Sequence, residues 1–246
     1  MRHLEVCAGT INSVLSARGG GAFRVELCSG LDEGGLTPSS GFIRAAMRVE
    51  GIRKNVLIRP RGGDFLYNAA EKFVILEDIR MCREEGVDGV VIGALTPEGE
   101  IDMDFCALCV EEAGDMSVTF HRAFDLCADP LNALDDVISL GCDRLLTSGQ
   151  AAKAEGGVEM LKTLVERAGE RLIVMPGSGV NAANAAKILM ETGAREIHAS
   201  ARSMVKSAMS SRRAGVSMGK EGADEYSIME TDADVVRRIV EEIERI

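Results

Sequence analysis

Four glycines, at positions 21, 86, 141 and 193, each open a short strand-like run. The segments read GAFRVELCSG, GVDGVVIGAL, GCDRLLTSGQ and GAREIHASAR, and successive glycines lie 52 to 65 residues apart. A glycine at this point closes a helical pattern, because it tolerates the left-handed backbone that ends a helix. Another strand-like run and another helical pattern fall between repeats: NVLIR at 55–59, MSVTFH at 116–121 and RLIVM at 171–175, with LEVC at 4–7 ahead of the first. Each period therefore holds two βα units. Strands are expected at about 4–7, 23–28, 55–59, 88–93, 116–121, 143–148, 171–175 and 195–200. Helices are expected at about 10–18, 39–50, 69–85, 102–113, 129–139, 156–168, 181–192 and 233–245. Strict alternation of this kind makes a parallel sheet. Eight units fit a closed (β/α)8 barrel, whose usual length is ~250 residues. An open doubly wound sheet is the alternative. No linker interrupts the alternation, so residues 1–246 read as one α/β domain. The exception is a long segment after the eighth strand, 201–232, rich in Ser, Met and Gly, with Arg202, Lys206, Arg212 and Arg213. Connections this long commonly carry function, an interface or disorder.

Parallel strands covered on both faces normally read as unbroken apolar runs. Several here alternate instead. Glu5 and Cys7 alternate with Leu4 and Val6, and Arg24, Glu26 and Cys28 alternate with Val25 and Leu27. Thr119 and His121 flank Phe120, and Glu196, His198 and Ser200 flank Ile197 and Ala199. A period of two puts each polar set on one face. The apolar set must meet the helices, so the polar set lines the barrel interior. Buried charges there need partners; Glu5, Glu26 and Glu196 have Arg24, Arg59 and Arg144 available. One outcome is an ion-pair network that only fills the barrel. The other is a site, because clustered ionisable groups at the C-terminal strand ends are where barrel enzymes place their chemistry.

Three loops suit ligands. Arg59-Pro60-Arg61-Gly62-Gly63 offers two guanidinium forks for an anion, or a solvated turn held by Asp64. Gly177-Ser178-Gly179 is expected to open a helix, where backbone N–H groups can cradle an anion, with Ser200 beside it. His121 and Asp125 supply an imidazole and a carboxylate for acid–base work, unless His121 is a core histidine bonded to a strand neighbour.

Seven cysteines are an odd number in a long, apolar chain, so reduced thiols are expected. Cys106 and Cys109 form a CxxC inside a helical pattern and read as core. Cys7 and Cys28 end adjacent strands on one inward face. At a strand spacing of ~4.8 Å both sulfurs come within reach of one ion, and two thiolates suit Cu(I). Two small buried hydrophobes are the alternative. The N-terminal stretch lacks the apolar core of a signal peptide, and no window approaches a membrane span, so a cytoplasmic protein is expected. A net charge of −11 argues against nucleic-acid and anionic-membrane partners.

Taken together, LEVC (4–7), RVELC (24–28), GGLTPS (34–39), IRPRGGDF (58–65), VTFHRAFD (118–125), LLTSG (145–149), MPGSGV (175–180), EIHASAR (196–202) and DEYS (224–227) resemble the CutC copper-homeostasis family over nearly the whole chain. The resemblance implies a cytosolic (β/α)8 TIM barrel that forms a homo-oligomer and binds Cu(I), with the family's metal-binding cysteines falling on Cys7 and Cys28. Ser178 departs from the pattern, since the family often has a third glycine there. Two functional readings follow. One is copper handling through Cys7 and Cys28. The other is acid–base catalysis on a small anionic or phosphorylated substrate. In that reading Glu5, Glu26, His121, Asp125 and His198 are the catalytic candidates, and Arg59, Arg61, Gly177, Ser178, Gly179 and Ser200 hold the anion. A third role, with 201–232 as a contact segment, predicts that deleting this segment abolishes self-association.

Overall fold

The eight alternating runs become eight parallel strands. They are β1 (His3–Ala8), β2 (Arg24–Leu27), β3 (Arg53–Leu57), β4 (Gly89–Ile92), β5 (Ser117–Phe120), β6 (Arg144–Thr147), β7 (Ile173–Pro176) and β8 (Glu196–Ala199). The computed structural model describes residues 2–213, 215–216, 218 and 224–246. The strands pair in the order β7-β6-β5-β4-β3-β2-β1-β8. β7 and β8 come side by side, and no ladder joins them among the described residues, so the barrel is nearly closed. The register sets Glu5 beside Arg24 on one side and His198 on the other, and Cys7 beside Glu26.

Seven helices separate the strands: α1 (Ile11–Gly19), α2 (Ser40–Met47), α3 (Ala69–Glu84), α4 (Met103–Ala113), α5 (Pro130–Ser139), α6 (Val158–Ala168) and α7 (Ala185–Thr192). Most begin where a side chain can satisfy the free N–H groups of the first turn. Thr10, Ser39, Asp102 and Asp129 cap α1, α2, α4 and α5, and Asn68 with Glu71 forms a capping box on α3. One start differs from expectation. α7 begins at Ala185 rather than 181, because Asn181 and Asn184 fold the chain back onto the Gly179 carbonyl. The Gly-Ser-Gly loop therefore does not sit on a helix N-terminus.

Outward strand residues such as Leu4, Val25, Val56, Ile92, Phe120 and Ile197 pack under the helices and are fully buried. Each such side chain contributes about 1.5–3 kcal/mol relative to exposure. Cys106 and Cys109 lie in this core, and burial pushes the Cys106 thiol up to about 12. All seven cysteines are free and buried. Gly157, just ahead of α6, lets the chain cross the β6 exit. A Cβ there would stand 1.9 Å from the Ser148 carbonyl oxygen. Gly157→Ala is expected to cost about 1–3 kcal/mol by overpacking, seen as a lower urea midpoint.

The segment after β8 holds an element with no sequence signal. β9 (Arg202–Lys206) and β10 (Ser227–Thr231) form an antiparallel ribbon that leads into α8 (Ala233–Glu244), capped by Asp232. Met204 faces Met229 and Val205 faces Ile228, and all four are exposed. Of the expected long segment, residues 214, 217 and 219–223 lie outside the described set.

Below the barrel mouth the inward charges match one another. Arg24 bridges Glu5 and Glu196, and Arg144 donates to Glu196 at 2.9 Å and to the Ser117 hydroxyl at 2.6 Å. The expected pairing of Arg59 with a carboxylate does not form. β3 ends at Leu57, so Arg59 has left the strand alternation and turns into the loops above.

Candidate functional site

A cavity of about 230 Å³ opens at the C-terminal ends of the strands. Inward alternation on β1, β2 and β8 delivers Cys7, Glu26 and His198 to its floor, and the turn after β2 adds Cys28. Arg59 comes from the β3 exit, His121 and Arg122 from the β5 exit, Ser178 and Gly179 from the β7 exit, and Ser200 from the β8 exit.

His198 places Nε2 3.0 Å from Glu26 Oε2 and 3.8 Å from Glu5 Oε1. Burial by itself would lower its pKa. The Glu26 hydrogen bond and charge, aided by Cys7 and Glu5, overcome this and raise it to about 9. His198 is thus an imidazolium at neutral pH. Cys7 is held below the ordinary thiol value, chiefly by a hydrogen bond with Cys28 and then, against burial, by the His198 charge. The same bond, with burial, pushes Cys28 up. Cys28 Sγ also lies 3.7 Å from the Ala8 carbonyl oxygen.

His121 behaves differently. Its Nδ1 accepts from the Ala123 backbone N–H at 3.1 Å. Burial, followed by the Arg59 charge, lowers its pKa to about 3. It is neutral at physiological pH, and with Nδ1 accepting, Nε2 carries the proton. Gly93 makes room for the ring, since a Cβ there would lie 2.5 Å from it. His121 suits a fixed hydrogen-bond donor better than a base.

Arg59 donates to the carbonyls of Glu33, Gly35 and Gly63 and lies over the Phe65 ring, 4.8 Å from its centroid. Phe65 also meets the His121 ring at 4.9 Å. No role for Phe65 was legible in the sequence, because nothing in the loop composition shows that one ring supports two polar groups. Arg61 does not line the cavity. It bonds Glu71 at 2.5 Å and the carbonyls of Gly62, Asp64 and Leu66. Asp125 also lies outside the lining, bracing the β6 exit by accepting from Thr147 Oγ1 at 2.5 Å and from the Ser148 and Gln150 backbone N–H groups. Glu5 is sealed beneath the floor with Arg24. Gly177 sits behind the wall, where its missing Cβ admits Leu146 and His198. Ser178 has φ 79°, a conformation that favours glycine, and its hydroxyl bonds the Ala152 carbonyl at 3.0 Å. Among the described residues no cluster of three or more His, Cys, Asp or Glu converges as metal donors, and no helix is long and apolar enough to cross a membrane.

The sequence profile of the CutC family matches residues 2–203. The chain belongs to the CutC family. It is 50% identical over 242 residues to the CutC family protein of Chromobacterium violaceum, covering 98% of each chain. The CutC family protein of Parabacteroides distasonis is 48% identical over 241 residues, covering 97% of this chain and 99% of that one. The crystal structure of CutC from Streptococcus agalactiae superposes with a TM-score of 0.78 at 34% identity, over 81% of this chain and 99% of that one. A thiamine phosphate pyrophosphorylase from Pyrococcus furiosus shares the barrel alone, with a TM-score of 0.60 at 17% identity.

Proposed function

We propose that this CutC protein handles copper, taking Cu(I) between the sulfurs of Cys7 and Cys28. The observation that carries this reading is the pair of thiols, Cys7 and Cys28, brought together at the cavity floor beside a protonated His198. Thiolates are soft donors that suit Cu(I). Two thiolates around one Cu(I) make an anionic centre, and the His198 imidazolium lies where it offsets that charge. The relative from Streptococcus agalactiae is named for copper homeostasis. Free thiols throughout the chain fit a reducing compartment, which supports a cytoplasmic location. The exposed apolar faces of β9 and β10 support self-association into a homo-oligomer.

Anaerobic Cu(I) titration against a competing chelator tests the copper reading. The Cys7→Ser/Cys28→Ser variant is expected to lose at least about 100-fold in affinity, close to 3 kcal/mol. Unchanged affinity in that variant sinks the site. Two thiolates make no use of Arg59 or His121, which line the same cavity.

A further inference from the structure

Two buried donors at this cavity lack partners. Arg59 is 6% exposed and His121 is 4% exposed. The terminal nitrogens of Arg59 are taken by three backbone carbonyls, and its Nε has no partner. It forms no ion pair among the described residues. The Tyr67 hydroxyl approaches the Arg59 side chain without completing a hydrogen bond to Nε; it is a neutral phenol, pushed up to about 12 chiefly by burial, and cannot balance the charge. His121 is in the same condition, with Nδ1 used by Ala123 and the Nε2 hydrogen unclaimed. The two side chains share the Phe65 ring. Among the described residues Glu26 is the one carboxylate lining the cavity, and His198 already matches it.

A buried cation without a counter-charge is costly, and so is each buried N–H left unbonded. A water can accept from either N–H, but only an anion also meets the charge. Chloride could meet the charge, but an oxyanion can accept from two separate N–H groups through different oxygens. A cavity of about 230 Å³ is below the ~300–1,000 Å³ that holds drug-sized ligands, so the ligand is small. We propose that this cavity recognises a small organic oxyanion, a carboxylate or phosphoryl group, through the Arg59 Nε–H and His121 Nε2–H donors. The rest of the ligand then extends toward Cys7 and the His198–Glu26 pair. This site does not depend on the copper reading, because neither donor is a metal ligand.

Isothermal titration with malonate and with glycerol 3-phosphate, in a buffer of matched chloride, tests the proposal. At least one is expected to bind the wild type with Kd of about 1 mM or tighter. Preference between the two tells carboxylate from phosphoryl recognition. His121→Asn retains an acceptor for the Ala123 N–H but withdraws the Nε2 donor, and Arg59→Lys retains charge but withdraws the Nε–H. Each is expected to weaken binding at least about tenfold. Arg61→Ala, at an arginine of the same loop that lies outside the cavity, is expected to bind the anion within about twofold of wild type. Binding equal to wild type in a folded His121→Asn variant overturns the proposal, as does failure of both anions to bind at about 10 mM.

Discussion

Replacing Arg24 by alanine is expected to lower the unfolding free energy by about 3–5 kcal/mol, the range for breaking a buried ion pair from one side. Arg24 stands between two carboxylates, Glu5 and Glu196, and all three side chains are buried. Truncation leaves Glu5 with only the more distant His198, and leaves Glu196 with Arg144 alone. The cost therefore comes from stranded charge rather than from lost contact area. Adding Glu5→Gln to Arg24→Ala is expected to recover part of the loss, because it removes the carboxylate with the weaker remaining partner. The pH dependence follows the same logic. Burial raises the Glu196 pKa, but Arg24 and Arg144 together outweigh this and hold it below the ordinary value. A depressed folded pKa contributes stability above the unfolded pKa, and this contribution is lost as pH falls through the folded value. The gap between wild type and Arg24→Ala should then narrow on acidification. Urea unfolding at pH 7 and pH 4 measures both effects. A loss under about 1 kcal/mol at pH 7 would mean that the barrel floor does not rely on charge matching.

The floor network was legible because period-two alternation is a local signal. Once Leu4, Val6, Val25 and Leu27 are assigned to the helices, Glu5, Arg24 and Glu26 have nowhere to point but inward. The glycine-anchored repeat likewise revealed eight units. The signal fails where the chain leaves regular structure. Arg59 and Arg61 sit two apart and would share a face in a strand, but β3 stops at Leu57 and they part company. Arg59 goes into the cavity and Arg61 goes to Glu71. The β9–β10 ribbon was invisible for another reason. Met204 and Val205 are consecutive apolar residues on opposite faces, so neither alternation nor a core-facing side marks the strand. The roles of the two cavity histidines were also beyond the sequence. Both lie in strand-like runs of the sequence, but one meets Glu26 and the other meets a backbone N–H, and those partners decide their charge.

That difference sets the second large effect. His198 is expected to titrate near pH 9 and His121 to show no protonation above pH 5, followed by NMR of the imidazole carbon-bound protons. In Glu26→Gln the main interaction raising His198 is gone while burial remains, so its pKa should fall back toward or below the ordinary 6.5. The stability consequence has a definite sign. A folded pKa above the unfolded one gives a contribution that is whole below pH 6.5 and lost as pH rises through about 9. Between those limits the folded protein binds more protons than the unfolded chain, so its unfolding free energy falls with rising pH. A shift of this size corresponds to about 3 kcal/mol. Cys7 works against the trend, because its thiol is held below the ordinary value and it loses its proton earlier in the folded state. The difference between wild type and Glu26→Gln, taken at each pH, removes most of that opposing part. Wild type should be the more stable of the two at pH 6.5, with the gap closing toward pH 9.5. A gap that stays constant across this window would show that Glu26 supports His198 by packing rather than by charge, and the imidazolium beside Cys7 would then no longer be available to offset a copper–thiolate centre.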